Sequence, residues 1–220
     1  MKPAPHPPAA RAGDLAAAIR GTRFSDYSGL ELIGRGGMAE VFKAVHPTLG
    51  QPVAIKLLHP QWKEDAGFRE RFKREVGIVT QLKHPNIVRV FEGGEESGTH
   101  YMVMEYLSGR DLGALLRAQG RMRLEQARLI LSGIGNALDY AHAQGLVHRD
   151  IKPSNVMLAM SGEKITRVVL TDFGIAKMVG STTSLTQSVI LGTLNYISPE
   201  QIHGAPDIDG RADVYPAFAG

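Results

Sequence analysis

The feature that most constrains the fold is a change in hydrophobic pattern at residues 105–109. Before it, short runs rich in β-branched and aromatic residues predict strands, as at 51–58 and 101–105. After it, apolar side chains recur every three or four residues, which predicts helices over 111–119 and 124–144. A strand-rich segment followed by a helix-rich one predicts two subdomains, and the cleft between them is a natural place for a nucleotide.

The remaining elements are predicted on the same grounds. Strands are expected at 30–32, 41–45, 87–91, 156–158 and 168–170, and a further helix at 68–82. The helix at 124–144 is expected to bury one apolar stripe. Its members are Ala127, Leu131, Ile134, Leu138 and Ala141. Residues 1–24 include a proline-rich run and are predicted to be a disordered tail.

Composition excludes several classes of function. The 25 basic and 22 acidic residues give a net charge of only +3, so no large basic field argues for nucleic acid binding. The chain has no cysteine, which excludes disulfides and thiolate metal sites and fits a reducing cytosol. No run approaches 18 apolar residues, so no membrane segment is predicted. We therefore expect a cytoplasmic location, which leaves room for membrane tethering through a region beyond this chain.

The chemistry is concentrated in residues 148–155 and 171–174. Asp150 lies five residues before Asn155 and 22 residues before Asp172, and Lys152 lies between the first two. This order suits metal-assisted phosphoryl transfer: one acid accepts a hydroxyl proton, and an amide and a second acid hold a metal ion.

These motifs resemble those of the eukaryotic-type protein kinase family, and Asp150-Ile151-Lys152-Pro153 resembles its serine/threonine branch. The resemblance covers about Tyr27 to Tyr215. It implies an α+β, two-lobed fold, with a strand-rich N-lobe at 25–107 and a helical C-lobe at 108–220. The C-lobe is expected to be incomplete. Pro216 is expected to break the helix that starts near Arg211 within its opening turns, unless it falls at the first helical position. ATP and Mg²⁺ are the implied cofactors, with Lys152 neutralising charge on the transferred phosphoryl group.

The glycine-rich turn is the expected phosphate site. Gly34, Gly36 and Gly37 lie between two predicted strands, where glycine lets the backbone approach phosphate oxygens. A simple flexible hairpin remains the alternative, and Ala39 stands where the family has a third glycine. The resemblance also places Val41 against the nucleotide.

Lys56 lies among apolar residues in the third strand, where a bare ammonium is costly unless it is paired. The resemblance implies nucleotide phosphate and a carboxylate of the next helix as its partners. Glu75 is the first choice for that carboxylate and Glu70 the second; a solvent-exposed helix face is the alternative for Glu75. Ala54, two residues earlier, is expected to contact the nucleotide.

The hinge supplies the expected adenine site. By resemblance Met104 is the gatekeeper, and the backbones of Glu105 and Leu107 face the adenine edge. Asp111 falls where the family often uses an acid for the ribose hydroxyls. A helix N-cap is equally expected of an aspartate before Leu112, and the two roles are compatible.

Residues 172–200 resemble an activation segment closed by Ser198-Pro199-Glu200, with Thr193 before it. Its hydroxyl-rich part, 180–188, is expected to carry phosphorylation sites, or else to be a passive linker. Thr186 and Ser188 are the first choices, ahead of Thr182 and Thr183. Arg149, beside the catalytic-loop acid, is the expected receptor for the phosphate.

Three functions are compatible with this pattern. The first is a protein serine/threonine kinase acting on protein hydroxyls, with self-association for autophosphorylation. The second is a pseudokinase-like binding module, inactive through truncation. The third, a small-molecule phosphotransferase, is disfavoured by the expected peptide-binding ledge around Gly192-Thr193 and Ser198-Pro199-Glu200. Similarity to bacterial sensor-type kinases is seen in residues 36–41 and 192–200.

Overall fold

The structure is a computed structural model that describes residues 22–37, 39–59, 66–173, 194–205 and 207–218. Within these residues the chain forms eight strands: β1 Ser28–Arg35, β2 Ala39–Val45, β3 Pro52–Leu58, β4 Val90–Glu96, β5 Thr99–Glu105, β6 Gly109–Asp111, β7 Val156–Ser161 and β8 Lys164–Leu170. The α-helices of the same residues are α1 Ala66–Val79, α2 Leu112–Gln119, α3 Leu124–Ala143, α4 Pro199–Ile202 and α5 Arg211–Phe218.

The N-terminal lobe is built on an antiparallel sheet of five strands in the order β1-β2-β3-β5-β4. Side chains alternate across β3, so that Ile55 and Leu57 face the outer side of the sheet while Ala54 and Leu58 face the inner side. The inner side packs on α1. This alternation also turns Lys56 toward the inner side, which is the side of the cleft.

A short 3₁₀ helix at Arg23–Asp26 covers part of the outer side of this sheet. Phe24 is only 3% exposed and meets the Tyr101 ring edge-on, with the ring centroids 4.9 Å apart. The predicted tail boundary at residue 24 is therefore wrong, because residues 22–24 already belong to the folded lobe. Residues 1–21 lie outside the described part of the chain.

Helix α1 confirms the predicted apolar repeat, since Phe68, Phe72, Val76 and Val79 are all buried. It ends at Val79, three residues before the predicted end. The chain after it, at 84–88, docks on the C-terminal lobe, where Asn86 Nδ2 donates to Val168 O at 2.7 Å.

That docking corrects the strand predicted at 87–91. Ile87 forms a single parallel bridge with Leu170, the last residue of β8, and β4 begins only at Val90. Val88 N–H donates to Leu170 O at 3.0 Å, which completes the link. The backbone of this segment thus pairs first with the C-terminal lobe and only then with the sheet.

The C-terminal lobe is built on α3 and a small antiparallel sheet, β6-β7-β8. The stripe predicted on α3 is confirmed for Ile134, Leu138 and Ala141, which are buried. It is wrong for Leu131, which is 46% exposed, because the face centred on Ile134 turns toward Ile130. Strand β6 was not predicted, and it is only three residues long.

Helix α5 runs through Pro216, so the expected break there is wrong. Proline removes one N–H donor from the helix, and in a helix of eight residues the other turns still form. No helix in the described residues is both long and apolar enough to cross a bilayer.

Candidate active site

The loop at residues 148–155 is held in place by a buried acid that the sequence reasoning missed. Asp213 of α5 is fully buried, and its carboxylate accepts hydrogen bonds from the backbone N–H groups of His148 (2.7 Å) and Arg149 (2.6 Å). It also contacts His142 Nε2 at 2.8 Å. The signal available in the sequence was only an acid between Ala212 and Val214 at the start of a helix. The contacts fix the loop backbone, including Arg149 at a left-handed φ of 67°.

His148 is a structural residue of this loop. It is fully buried, with Nε2 at 2.8 Å from Thr171 O, and Nδ1 accepts the Asp150 N–H at 3.2 Å. Because a carbonyl oxygen only accepts, Nε2 carries the proton and the ring is neutral. Burial lowers the pKa of His148 below its ordinary value, with the Asp213 carboxylate opposing that shift only in part.

Three of the predicted site residues meet around the Asp150 carboxylate. Lys152 Nζ lies 2.8 Å from Asp150 Oδ2, and Asn155 Nδ2 donates to the same oxygen at 3.0 Å and to Asp150 O at 2.8 Å. The 3₁₀ helix Pro153–Asn155 turns the chain so that Asn155 can reach back to Asp150. The loop thereby presents a fixed carboxylate beside a cation.

The β7–β8 hairpin brings the second acid to the same place. Asn155 directly precedes β7 and Thr171 directly follows β8, so the antiparallel pairing sets them at one end of the hairpin. Thr171 N–H donates to Asn155 O at 2.9 Å, and Asp172 is the next residue, with a left-handed φ of 64°. Asn155 and Asp172 are therefore neighbours, as their predicted common role requires.

Lys56 joins the two lobes through Asp172. Its Nζ lies 2.8 Å from Asp172 Oδ1. Burial is the largest single influence and would raise the pKa of Asp172, but the charge and hydrogen bond of Lys56, together with smaller contributions from neighbours such as Lys152, hold that pKa below its ordinary value. The carboxylate is thus kept ionised in the site.

In this structure Lys56 therefore pairs with Asp172 and not with Glu75, the partner expected from the sequence. Glu75 is buried on α1 at 2% exposure, and its Oε1 lies 3.3 Å from Arg74 Nη2. The physical reason is competition between two acids: the left-handed backbone at Asp172 turns that carboxylate onto Lys56. Glu70, the second choice, is exposed and lies on the rim of a separate cavity of about 570 Å³ between α1 and the β4–β5 strands.

The glycine turn joins β1 to β2, and Gly34 lies opposite Val41 in the hairpin. Neither Gly34 nor Gly36 has a left-handed φ. A Cβ placed on either would come no closer than 3.7 Å to other atoms of the protein. The fold itself therefore does not require glycine at these positions, whereas close approach of a ligand to the backbone would.

The predicted adenine contacts form one apolar wall. Met104 of β5 pairs with Ala54 of β3, and Val41 and Leu107 pack on the same inner core. Met157 of β7 packs half-buried on the same core cluster from the other lobe, and the sequence reasoning missed it because nothing in its local sequence marks it.

The hinge follows this wall. Glu105 ends β5, and its own N–H donates to Arg89 O at 2.9 Å. Asp111 is confirmed as an N-cap, since its Oδ1 accepts the Ala114 N–H at 2.8 Å at the start of α2. Asp111 also pairs with Met157 across the β6–β7 ladder, which sets it beside the apolar wall.

The donor set suits magnesium. Asn155 and Asp172 offer an amide and a carboxylate oxygen, the hard ligands that Mg²⁺ takes in ones and twos alongside phosphate oxygens and water. Among the described residues no group of three or more His, Cys, Asp or Glu side chains forms a cage that could hold a metal without such a ligand.

The end of the expected activation segment is also placed. Gln201 Nε2 donates to Arg149 O at 2.9 Å, and Ser198 caps α4 with full burial. Residues 174–193, which include Thr182, Thr183, Ser184, Thr186, Ser188 and Thr193, lie outside the described residues.

The family model for the protein kinase domain matches residues 27–217 of this chain. The chain therefore belongs to the protein kinase domain family, as its motifs indicated. The two-lobed architecture and the cleft described above are those of this family.

Its relatives are bacterial serine/threonine kinases. The probable serine/threonine-protein kinase PknB of Bifidobacterium longum is 41% identical, over 85% of this chain and 28% of its own length. Serine/threonine-protein kinase PknA of Mycobacterium tuberculosis is 41% identical, over 84% of this chain and 43% of its own length. The chain thus spans less than half the length of these relatives.

Solved structures agree with the fold. The kinase domain of Mycobacterium tuberculosis PknI matches with a TM-score of 0.69 and 33% identity, over 87% of this chain and 70% of that one. Rad53 residues 1–466 in complex with AMP-PNP matches with a TM-score of 0.69 and 30% identity, over 93% of this chain and 49% of that one.

Proposed function

We propose that this chain is the catalytic part of a protein serine/threonine kinase that transfers the γ-phosphoryl group of ATP to protein hydroxyls. The observation that carries the proposal is one continuous set of contacts. It runs from Lys152 through Asp150 and Asn155 to Thr171, and the next residue, Asp172, meets Lys56 of the other lobe. These contacts support the proposal, because two acids, an amide and two lysines are groups that phosphoryl transfer uses.

Asp150 is proposed to orient the acceptor hydroxyl and to take its proton as the oxygen attacks the γ-phosphorus. The bond from that phosphorus to the β–γ bridging oxygen breaks, and ADP leaves with the electron pair. Lys152, already 2.8 Å from Asp150, is placed to neutralise charge on the phosphoryl group in transit. Magnesium, held by Asn155 and Asp172, would shield the phosphate charges.

In the N-terminal lobe, Gly34, Gly36 and Gly37 are proposed to bind phosphate oxygens through backbone N–H groups, and Lys56 to fix the phosphates in line. Val41, Ala54, Met104 and Leu107 would enclose the adenine with the Glu105 backbone, and Asp111 would bind the ribose. We retain Glu75 as a proposed second partner of Lys56, because it is the buried acid of α1, the helix next to β3.

The test is transfer of radiolabel from ATP to a generic basic protein, followed by identification of the labelled amino acid. Phosphoserine or phosphothreonine is expected, and Asp150→Asn should abolish the label. Asp139→Asn, an exposed acid on α3, is the matched control and should leave transfer unchanged. Nucleotide binding without transfer by the parent chain would instead establish a pseudokinase-like binding module.

The finer predictions belong to the same proposal. The acceptor is proposed to be a protein, and self-association is proposed to allow phosphorylation between Gly180 and Ser188, with Arg149 receiving the phosphate. Mass spectrometry after incubation with Mg-ATP would find these sites. Replacing Thr182, Thr183, Ser184, Thr186 and Ser188 together by Ala should lower activity several-fold.

A cytoplasmic location is proposed from the absence of cysteine.

A further inference from the structure

We propose that His59 is a positioning residue for the phosphate-binding turn: it holds the Gly36 carbonyl on the outer side of the sheet and thereby turns the Gly37 N–H toward the nucleotide phosphates. This inference rests on the nucleotide site proposed above. It concerns a side chain that the motifs of the sequence do not include.

The contact is a hydrogen bond across the hairpin. His59 Nε2 lies 3.1 Å from Gly36 O. A carbonyl oxygen can only accept, so Nε2 donates, and it does so in the neutral tautomer with a proton on Nε2 and in the imidazolium alike. The two residues are 23 positions apart in sequence. The bond therefore ties the turn after β1 to the end of β3.

The direction of this bond follows from strand alternation. In β3 the outer side of the sheet takes Val53, Ile55 and Leu57, and the inner side takes Ala54 and Leu58. His59 follows Leu58 directly, so the same period of two sets it on the outer side. The carbonyl that it binds therefore points away from the cleft.

A trans peptide plane carries this orientation to the next residue. The C=O of Gly36 and the N–H of Gly37 belong to one planar unit and point in opposite directions. Holding the carbonyl outward consequently turns the Gly37 N–H inward, toward the cleft. No hydrogen bond among the described residues uses that N–H, which leaves it available for an anion.

The rest of the turn supports the same geometry. The Gly36 N–H donates to Ala39 O at 2.9 Å, and this hydrogen bond closes the turn. At the base of the hairpin, Arg35 Nε lies 3.2 Å from Glu40 Oε1, and Glu40 is largely buried. With the base fixed in this way, the His59 bond sets the peptide plane at the tip.

The test compares two ligands that differ only in phosphate. Calorimetry measures the Kd of Mg-ADP and of adenosine for the parent chain and for His59→Ala. Loss of one neutral hydrogen bond should weaken Mg-ADP roughly three- to ten-fold, and adenosine should bind as before. His59→Gln keeps an N–H donor at a similar reach and should recover most of the Mg-ADP affinity.

The matched control is His46→Ala. His46 also binds backbone, since its Nδ1 accepts the N–H groups of Thr48 and Leu49 at 3.2 Å, but it does so at the opposite end of β3. It should leave both ligands unaffected. Equal Mg-ADP affinity in His59→Ala and the parent, or an equal loss for adenosine, would overturn the role of His59. A parent chain that binds neither ligand would overturn the nucleotide site as well.

Discussion

At the scale of single residues, the Asp172 carboxylate has two roles. It is the acid proposed to hold magnesium, and it is also the counter-ion of Lys56. Removing its charge takes away the proposed metal ligand and leaves an ammonium in a largely buried place without its carboxylate.

We therefore expect Asp172→Asn to reduce phosphoryl transfer to less than about a tenth, since contacts of this kind to phosphate and metal are worth several kcal/mol. Transfer and far-UV circular dichroism should be measured on the same sample, with Asp139→Asn as the control. Retention of more than about a tenth of the activity in a folded variant would contradict the assignment.

His148 predicts how stability depends on pH. Its pKa in the folded chain is lowered from an ordinary 6.5, chiefly by burial, so unfolding lets the ring take up a proton. The unfolded state binds more protons below pH 6.5 than the folded state does. The free energy of unfolding should consequently fall as the pH is lowered from about 7 toward 5, by at most about 1.4 kcal/mol per pH unit from this group.

The comparison that isolates this effect is His148→Gln, which keeps a donor and an acceptor but does not titrate. The other seven histidines are common to both chains, so they cancel in the difference. Denaturant unfolding at several pH values should give a flatter profile for the variant. Parallel profiles would mean that the pKa of His148 is the same in the folded and unfolded chains, which would contradict the prediction.

At the scale of elements, the sequence predicted what a local pattern determines. The repeat of Phe68, Phe72 and Val76 predicted α1, because apolar residues at this spacing form one face of a helix that can be buried. The predicted strand at Ile87 and the predicted burial of Leu131 were wrong, because both depend on residues that are distant in sequence. Ile87 pairs with β8, and Leu131 lies just outside the buried face of α3. Such contacts leave no local periodicity.

The same limit applies to the site. Asp150, Lys152 and Asn155 lie within six residues, so one motif places them together. The choice of Asp172 over Glu75 as the partner of Lys56 depends on a backbone dihedral and on the relative position of two lobes. Asp213 and Met157 reach the site only through tertiary packing, and no spacing in the sequence reveals them.

At the hinge, an ion pair between Arg167 and Glu105 links the two lobes. Arg167 of β8 forms a fork with Glu105, with Nη1–Oε2 at 2.7 Å and Nη2–Oε1 at 3.0 Å, and its Nε donates to Pro85 O at 2.6 Å. Arg89 N–H adds a bond to Glu105 Oε1 at 2.9 Å. The end of β5 is thus tied to the sheet of the other lobe.

We expect Arg167→Met to lower the free energy of unfolding by about 1–3 kcal/mol, because a partly buried fork with an added backbone bond is stronger than an exposed pair. Arg167→Lys should lie between, since it keeps the charge and loses the fork. A double-mutant cycle with Glu105→Gln measures the coupling by denaturant unfolding.

Arg211→Met, which breaks the highly exposed pair with Asp209, is the control and should cause no measurable change in the free energy of unfolding. A coupling of zero between Arg167 and Glu105 would contradict the prediction.

At the scale of the whole molecule, the cleft is bounded by groups from both lobes. The N-terminal lobe supplies Lys56 and the glycine turn, and the C-terminal lobe supplies Asn155, Asp172 and Met157. A ligand in this cleft binds the folded chain only when both lobes are folded and correctly oriented. Its binding free energy therefore adds to the stability of the whole chain.

We expect a non-hydrolysable ATP analogue with Mg²⁺ to raise the unfolding temperature. At one hundred times its Kd a ligand adds about 2.7 kcal/mol, which corresponds to roughly 5–11 °C for a chain of this length. Chelating the metal should reduce the shift, because Asn155 and Asp172 then contribute less to phosphate binding. In Asp172→Asn the shift should be nearly the same with and without metal. A shift in the parent chain that ignores magnesium would exclude the proposed metal site, even if the nucleotide binds.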